Sequence, residues 1–141
     1  MKEIHVTEND LIEFIDTKID SSYAIAEIYT YKYLRTIFND KAIFKGKNFD
    51  FVIYGDIKWK PLLVEVKYNH LKLSIEQLYE YYYNYYPKYR LWIISNKNKG
   101  KRSHITIMWY RYYIKRIDQF KTPLGNFYCY EVYKIELRNY G

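Results

Sequence analysis

One stretch of the chain, residues 49–67, limits the possible folds more than any other. It contains two β-rich runs, 49–54 and 61–68, joined by a short polar connection that begins at a glycine and ends at a proline. This pattern predicts a β-hairpin. If the turn is symmetric, Asp50 on the first strand lies opposite Glu65 on the second, and directly opposed side chains share a face.

The predicted hairpin has one charged face and one apolar face. Lys67 follows Glu65 by two residues and therefore projects on the same side as Asp50 and Glu65. Two carboxylates and an ammonium in an otherwise interior hairpin cost free energy unless they are paired or bind something. A simple surface ion pair is the alternative interpretation. The opposite face is predicted to be apolar and to carry Phe49, Phe51, Ile53, Val64 and Val66.

A helix is predicted upstream of the hairpin, over residues 23–38, and the serines at 21–22 can cap it. Glu27 falls inside the apolar stripe of this helix. A carboxylate on the core-facing side of a helix is paired, lies at an edge that reaches water, or holds a metal ion, and the spacing leaves all three open. The stripe consists of Tyr23, Tyr31, Leu34 and Phe38.

Another helix is predicted after the hairpin. Ser74 followed by Gln77 is a capping box, and Pro87 ends the helix. The helix places Gln77 and Tyr81 one turn apart on one face. Gln77 can cap its own helix, and it can also contribute to a site; the sequence leaves both roles open.

The other segments fill in a mixed set of elements. Residues 8–18 predict a short first helix, with a weakened capping box at its start, and residues 41–45 predict a short strand. The run at 90–95 predicts a strand that joins the sheet after a helical crossover. Two further strands are predicted at 105–114 and 127–137, separated by a loop that contains a proline and a glycine.

The chain is predicted to form one domain. It has 141 residues and shows no repeat and no low-complexity linker. We expect a single domain over residues 1–141, with its core at about 23–95 and a C-terminal elaboration at about 104–137.

The positive charge is concentrated after the hairpin. The chain carries a net charge of +7, and residues 86–121 hold ten Lys or Arg against one Asp, a net of +9 that leaves −2 for the rest. A basic block after an acidic one is the charge pattern expected of a protein that binds a polyanion. The alternative interpretation is that these charges are ordinary solvated surface residues. A polar loop in this block, residues 96–103, carries Lys97, Lys99, Lys101 and Arg102.

The composition indicates an intracellular, soluble protein. Cys129 is the single cysteine, which rules out an internal disulfide and a cysteine-based zinc site. The N-terminus carries charge where a signal peptide needs apolar residues, and no run approaches about 18 apolar residues. We therefore expect a cytoplasmic location and no membrane contact. His5, His70 and His104 have no metal-type spacing.

The order of helix, strand, acidic hairpin, helix and strand resembles the common core of the PD-(D/E)xK nuclease superfamily. The signature of that family is an Asp near the start of the second core strand and (D/E)xK at the end of the third. The matching residues here are Asp50 and Glu65-Val66-Lys67, and Glu27 occupies the place of a Glu that many members add from the preceding helix. The resemblance implies an α/β fold with a restriction-endonuclease-like αβββαβ core, a mixed central sheet flanked by helices, here with an added N-terminal helix and C-terminal Tyr-rich strands.

The helix after the hairpin carries a further match. Residues 77–81, QLYEY, fit the QxxxY motif of RecB-like exonucleases, and a polar residue in this helix also occurs in archaeal Holliday-junction resolvases. The resemblance implies a RecB-like, Mg²⁺-dependent deoxyribonuclease. A structure-selective Holliday-junction resolvase of the same fold is the alternative, and a non-catalytic DNA-binding module is a second alternative.

The chemistry of phosphodiester hydrolysis explains why such residue types occur together. The reaction needs an activated water and stabilisation of negative charge on the phosphate, and a carboxylate-bound Mg²⁺, or Mn²⁺ in its place, can supply both. The resemblance implies that Asp50, Glu65 and Glu27, with the backbone carbonyl of Val66, hold the metal. Lys67 would orient or deprotonate the attacking water, or neutralise charge on the phosphate.

Substrate contacts complete the expected site. Gln77, counted with the catalytic set, and Tyr81 would position substrate or water. The expected partner is single-stranded DNA, DNA ends or branched DNA, and these substrates occur in DNA repair and recombination. A homodimer with the Tyr-rich C-terminal strands as its candidate interface would cover more DNA than one small domain. The basic loop would contact the DNA backbone through Lys97, Lys99, Lys101 and Arg102.

Overall fold

The computed structural model describes residues 2–4, 22–55 and 60–138. The short helix predicted at 8–18 and His5 lie outside these ranges. Within them the chain forms eight strands and two helices. None of the helices in the described ranges is both long and apolar enough to cross a membrane.

Helices and strands are mixed in the first two thirds of the chain, and all later elements are strands. In order they are β1 (Lys2–Glu3), α1 (Ser22–Arg35), a 3-10 turn (Asp40–Ala42), β2 (Ile43–Lys45), β3 (Phe51–Ile53), β4 (Leu62–Lys67), α2 (Ile75–Glu80) continued by one π-helical turn (Tyr81–Tyr85), β5 (Arg90–Ser95), β6 (Arg102–Ile107), β7 (Tyr110–Thr122) and β8 (Gly125–Leu137).

All eight strands belong to one mixed sheet. Its order is β1-β7-β8-β5-β4-β3-β2, and β6 pairs with the first half of β7. The central pair β4 and β5 is parallel, because α2 carries the chain back across the sheet between them. Apolar side chains of α1 pack on one face of the sheet and those of α2 on the other. The predicted mixed α/β class is therefore confirmed, and the sheet extends well beyond the predicted core.

The register predicted for the hairpin of β3 and β4 is confirmed. Phe51 pairs with Val64 and Ile53 with Leu62, which continues to Asp50 opposite Glu65. The apolar face is also as predicted for the four residues in the strands. Phe49 is the exception, since it lies in the core on the α2 side against Tyr81 and Tyr85. The prediction for Phe49 was wrong because this residue belongs to the turn before β3, where strand alternation does not apply.

Helix α1 is rotated relative to the predicted stripe. Its most deeply buried positions are Ala26, Thr30, Tyr33 and Leu34, whereas Tyr23 is 38% exposed. Glu27 therefore lies at the edge of the buried face and not at its centre. Small and hydroxyl-bearing residues are buried here, and a pattern that counts only large apolar residues misses their side of the helix. The helix ends at Arg35, three residues earlier than predicted.

The C-terminal strands differ from the prediction at one turn and in the length of β7, which continues through residues 115–122, a segment that was predicted as loop. The predicted strand at 105–114 is two strands, β6 and β7, joined by a tight turn at Met108 and Trp109. Met108 has a φ of 54°, and no glycine, asparagine or aspartate marks the turn in the sequence. The next turn, at Pro123 and Leu124, was predicted from its proline and glycine and joins β7 to β8.

Tyr112, on β7, hydrogen-bonds the C-terminal strands to the segment between β4 and α2. Its hydroxyl donates to the Leu71 carbonyl at 2.8 Å and accepts from the Leu73 amide at 3.0 Å, and both bonds are buried. Because both bonds are buried, the hydroxyl is the group that satisfies both backbone atoms.

Tyr112→Phe should lower the free energy of unfolding by about 1–3 kcal/mol, since it leaves a buried amide and a buried carbonyl without partners. Chemical denaturation measures the change. Tyr133→Phe is the matched control, because Tyr133 is exposed on β8 and should change stability by less than about 0.5 kcal/mol. Equal stability of the two variants would show that the Tyr112 bonds contribute nothing.

Candidate functional site

The candidate site is built around the carboxylate of Glu65, on β4. Glu65 is only 5% exposed, although charged residues are rarely buried unless they are paired. Its Oε1 accepts from the Asp50 amide at 3.1 Å. Its Oε2 accepts from Gln77 Nε2 at 2.6 Å and pairs with Lys67 Nζ at 3.2 Å. Three segments, the turn before β3, the strand β4 and the helix α2, thus meet on one carboxylate.

A tight turn at residues 46–50 brings Asp50 to this position. The Gly46 amide donates to the Asp50 carbonyl at 3.1 Å. A side chain at Gly46 would not fit, because a Cβ atom would lie 2.1 Å from the Phe49 carbonyl oxygen. Only glycine permits this approach of two backbone segments. As a consequence of this turn, Asp50 faces β4.

The carboxylate of Asp50 spans the gap between the sheet and α1. Its Oδ2 accepts from the Val66 amide at 2.7 Å. The Tyr23 hydroxyl lies 2.8 and 2.9 Å from its two oxygens. The amide and carbonyl of one strand residue point to the same neighbour, so the Val66 carbonyl faces the Asp50 side as well.

Gln77 takes part in both the helix cap and the site. Its Oε1 accepts from the Ser74 amide at 3.1 Å, which completes the predicted capping box. The same oxygen lies 3.2 Å from Lys67 Nζ, and Nε2 donates to Glu65 and, at 2.9 Å, to the Asn48 carbonyl. An amide offers two donors and two acceptor positions, and Gln77 uses all four. The two roles left open by the sequence are filled together.

Glu27 lies near enough to Asp50 for the charge of Asp50 to act on its pKa, and no hydrogen bond joins the two carboxylates. Burial and the charge of Asp50 raise the pKa of Glu27 to about 7, while Lys45 acts in the opposite direction. No hydrogen-bond donor to the Glu27 carboxylate is found among the described residues. Of the three carboxylates Glu27, Asp50 and Glu65, Glu27 is therefore the one whose charge is least stabilised by donors within the described residues.

Tyr23 is a member of this cluster that sequence reasoning did not identify. Burial, followed by the charges of Asp50 and Glu65, raises the pKa of Tyr23 strongly, so its hydroxyl stays protonated and donates to Asp50. The available signal was its position four residues before Glu27, which puts both on one helix face. The sequence pattern instead assigned Tyr23 to the apolar stripe.

The pKa of Glu65 is also raised, to about 7. Burial is the main cause and the charge of Asp50 adds to it, whereas the Gln77 hydrogen bond and the charge of Lys67 lower it. Raised pKa values of carboxyl groups in one cluster are typical of functional sites and also occur in structural ion-pair networks.

The donor set suits a hard divalent cation. Carboxylate oxygens of Glu27, Asp50 and Glu65 and the Val66 carbonyl are the ligand types that Mg²⁺ and Mn²⁺ prefer. Among the described residues, however, no three Asp, Glu, His or Cys side chains form a ready-made metal cluster. The Tyr23 hydroxyl and the Lys67 ammonium lie against the same oxygens, so a cation would take their place on Asp50 and Glu65.

Two other residues named from the sequence lie away from the cluster. Tyr81 is 1% exposed, sits in the core and donates to the Tyr89 carbonyl at 3.0 Å. The structure does not bring its hydroxyl to the site. His70 follows β4, and its Nδ1 accepts from the Lys72 amide. Burial and the neighbouring Lys67 and Lys72 lower the pKa of His70.

The basic loop begins at the same edge of the sheet as the cluster. It follows β5, whose last residue Ser95 pairs with Lys67, and the carboxyl ends of parallel strands lie together. Asn96 accepts from the Asn69 amide at 2.6 Å and donates to the Asn69 side chain at 2.8 Å, which ties this loop to the one after β4. The exposed cations of the loop and of the start of β6 are Lys97, Lys99, Lys101 and Arg102.

Comparison of the chain with known protein families, with curated proteins and with solved structures finds no match in any of the three.

The metal-free protein should lose stability as pH rises from about 4.5 through about 7. The raised pKa values of Glu65 and Glu27 mean that the folded state binds protons more tightly than the unfolded state, so ionisation disfavours folding in this range. Thermal unfolding in a chelator, measured between about pH 5 and 8, tests this sign.

Glu65→Gln should flatten this pH dependence, because the amide stays neutral at every pH in the range. Asp40→Asn, in the exposed 3-10 turn, is the control and should leave the pH profile as in the wild type. A Glu65→Gln profile as steep as that of the wild type would contradict the assignment of the titration to Glu65.

Proposed function

We propose that this protein is a metal-dependent DNA nuclease that hydrolyses phosphodiester bonds. The observation that carries the proposal is the convergence of Asp50, Glu65 and Lys67 at one end of β4, with Glu27 and Gln77 beside them. These five residues come from four segments that are distant in sequence. A surface ion pair would not require a glutamate that is 5% exposed.

The order of elements also supports a PD-(D/E)xK type of core. The chain runs from α1 through β2, β3 and β4 to α2 and β5, which is the αβββαβ order of a restriction-endonuclease-like core. Strands β1, β6, β7 and β8 extend the sheet beyond that core. With no matching family or structure, the likeness rests on the order of the elements and on the site residues alone.

In this proposal the carboxylates hold a Mg²⁺ ion, which when bound would activate water and stabilise charge on the phosphate. Asp50 and Glu65 supply ligand oxygens, the Val66 carbonyl faces the same side, and Glu27 adds a further carboxylate from α1. A cation would also offset the mutual repulsion that contributes to the raised pKa values of Glu27 and Glu65.

Lys67 and Gln77 act on the remaining side of the site. The Lys67 ammonium lies 3.2 Å from both Glu65 Oε2 and Gln77 Oε1, so two acceptors fix its position. From there it would orient the attacking water or neutralise charge on the phosphate. Gln77 is a positioning residue, since it holds Glu65 and Lys67 through one amide group.

A non-catalytic DNA-binding module is the second candidate, and one observation favours it. The oxygens of Asp50 and Glu65 are satisfied by donors within the chain, including the Tyr23 hydroxyl and the Lys67 ammonium. A binding module would keep this arrangement as a purely structural network. It would bind DNA equally well with and without a divalent cation.

Cleavage of single-stranded, linear, circular and four-way-junction DNA in Mg²⁺ and in Mn²⁺ tests the proposal. Asp50→Asn and Glu65→Gln should each lower the cleavage rate by at least about a hundredfold, because each removes a ligand carboxylate, and Gln77→Ala by about 10- to 100-fold. The preferred substrate also separates an exonuclease from a junction resolvase.

Asp40→Asn is the control in this assay, because it removes one carboxylate from an exposed turn outside the cluster. It should cleave as the wild type does. No metal-dependent cleavage of any substrate, or equal cleavage by Asp50→Asn and the wild type, would refute the nuclease and leave the binding module.

The basic loop should bind DNA through charge. Replacing Lys97, Lys99 and Lys101 together with alanine should weaken binding to every sequence alike, since phosphate contacts carry no sequence information. The slope of log K against log salt should become shallower by about 0.7–0.9 for each phosphate that the variant no longer neutralises. Lys134→Ala, on β8, is the single-charge control, and a triple variant with an unchanged slope would exclude the loop from the interface.

A further inference from the structure

A groove of about 760 Å³ opens beside the carboxylate cluster. Lys67 and Gln77, which belong to the cluster, form part of its wall, so the groove leads directly out of the site. Lys47 and Asn48, from the turn that carries Asp50, form a second part. Tyr79 of α2 forms a third. A polymeric substrate that lies in this groove therefore contacts the segment that carries Tyr79.

Tyr79 and Tyr83 present their rings to solvent next to this groove. They are 59% and 55% exposed, and their ring centroids lie 4.8 Å apart. Tyr81, between them in the sequence, is 1% exposed and fixes the helix in the core. The helix therefore holds two adjacent aromatic rings in water on a rigid support. Two adjacent exposed rings can stack on a nucleic-acid base.

The charges along the groove favour an uncharged group beside the helix. Glu76 and Glu80 of α2 line the groove, and so do Lys47 of the turn before β3 and Lys67 of β4. A phosphate group is repelled by the two glutamates and attracted by the two lysines. A nucleic acid in this groove would thus place its backbone along the lysines and a base against Tyr79.

We propose that Tyr79, backed by Tyr83, stacks on an unpaired base of single-stranded DNA that leads into the carboxylate site. The inference rests on the proposed function and names its substrate class. In a duplex both faces of a base are covered by its neighbours, so an exposed aromatic side chain gains little from it. Stacking on a single strand is available to every base, so Tyr79 selects for strandedness without selecting for sequence.

Binding measured in a chelator tests this selectivity without any cleavage. The probes are a labelled oligothymidine of about 12 nucleotides and a blunt duplex of matching length. The wild type should prefer the single strand. Tyr79→Leu should weaken single-strand binding about tenfold and leave duplex binding unchanged, because leucine keeps apolar bulk but offers no ring face. Tyr79→Phe should bind as the wild type does.

Two further measurements separate stacking from a merely structural effect. Tyr79→Leu should leave the salt dependence of binding unchanged, whereas Lys47→Ala should make the slope shallower by about 0.7. Tyr133→Leu, which removes an exposed tyrosine of β8, should have no effect on single-strand affinity. Oligonucleotides that contain 5-bromouracil should cross-link to Tyr79 or Tyr83 on irradiation. This measurement uses the wild-type protein and therefore does not depend on the folding of a variant.

The outcomes distinguish this inference from the nuclease itself. Equal single-strand affinity of Tyr79→Leu and the wild type, or cross-links that fall only outside α2 and its π-helical turn, would overturn the stacking role even if cleavage depends on Asp50 and Glu65. Loss of single-strand binding in Tyr79→Leu with no cleavage of any substrate would instead retain the stacking role and refute the nuclease.

Discussion

The buried carboxylate of Glu65 is the constraint on which the site depends. An uncompensated charge at 5% exposure would be strongly destabilising, and three donors from three segments prevent this. The donors are the Asp50 amide, the Gln77 side chain and the Lys67 ammonium. Each can reach Glu65 only if the turn at 46–50, the helix α2 and the strand β4 hold their relative positions. The same network therefore stabilises the fold locally and defines the geometry of the candidate site.

Local signals were sufficient to predict much of this arrangement. The register of the hairpin followed from a symmetric turn, and the capping box at Ser74 and Gln77 fixed the start of α2. The bounds of β5 followed from a short apolar run between polar residues. The turn at Met108 was missed, because its positive φ occurs at a residue type that gives no turn signal. The π-helical continuation of α2 has no sequence pattern that distinguishes it from α-helix.

The site residues also divide into those that local sequence signals predict and those that depend on tertiary packing. Asp50, Glu65 and Lys67 were predicted on one face because strand alternation has a period of two, and Gln77 followed from its cap. Glu27 was predicted to join Asp50 and Glu65; it lies at the edge of the buried face of α1, where the charge of Asp50 raises its pKa. Tyr23 had a signal in its spacing of four residues from Glu27, but the apolar pattern assigned it to the core. Tyr79 could not be predicted, since its contacts depend on how α2 is rotated against the sheet. Tyr81 was assigned to the site from a motif, but the rotation of α2 turns it into the core and its neighbours outward.

The basic loop illustrates how conformational entropy is distributed in this fold. The Asn96 side chain joins it to Asn69, the Ser95 hydroxyl accepts from the Lys97 backbone amide, and the Tyr130 hydroxyl accepts from the Lys99 backbone amide. Its backbone is thus already ordered when the chain folds, at a cost of about 1–2 kcal/mol per residue that an anion meeting the loop later does not bear. Only the lysine side chains remain to be immobilised. A loop shaped in this way gives up less freedom on binding than a flexible basic tail of the same charge.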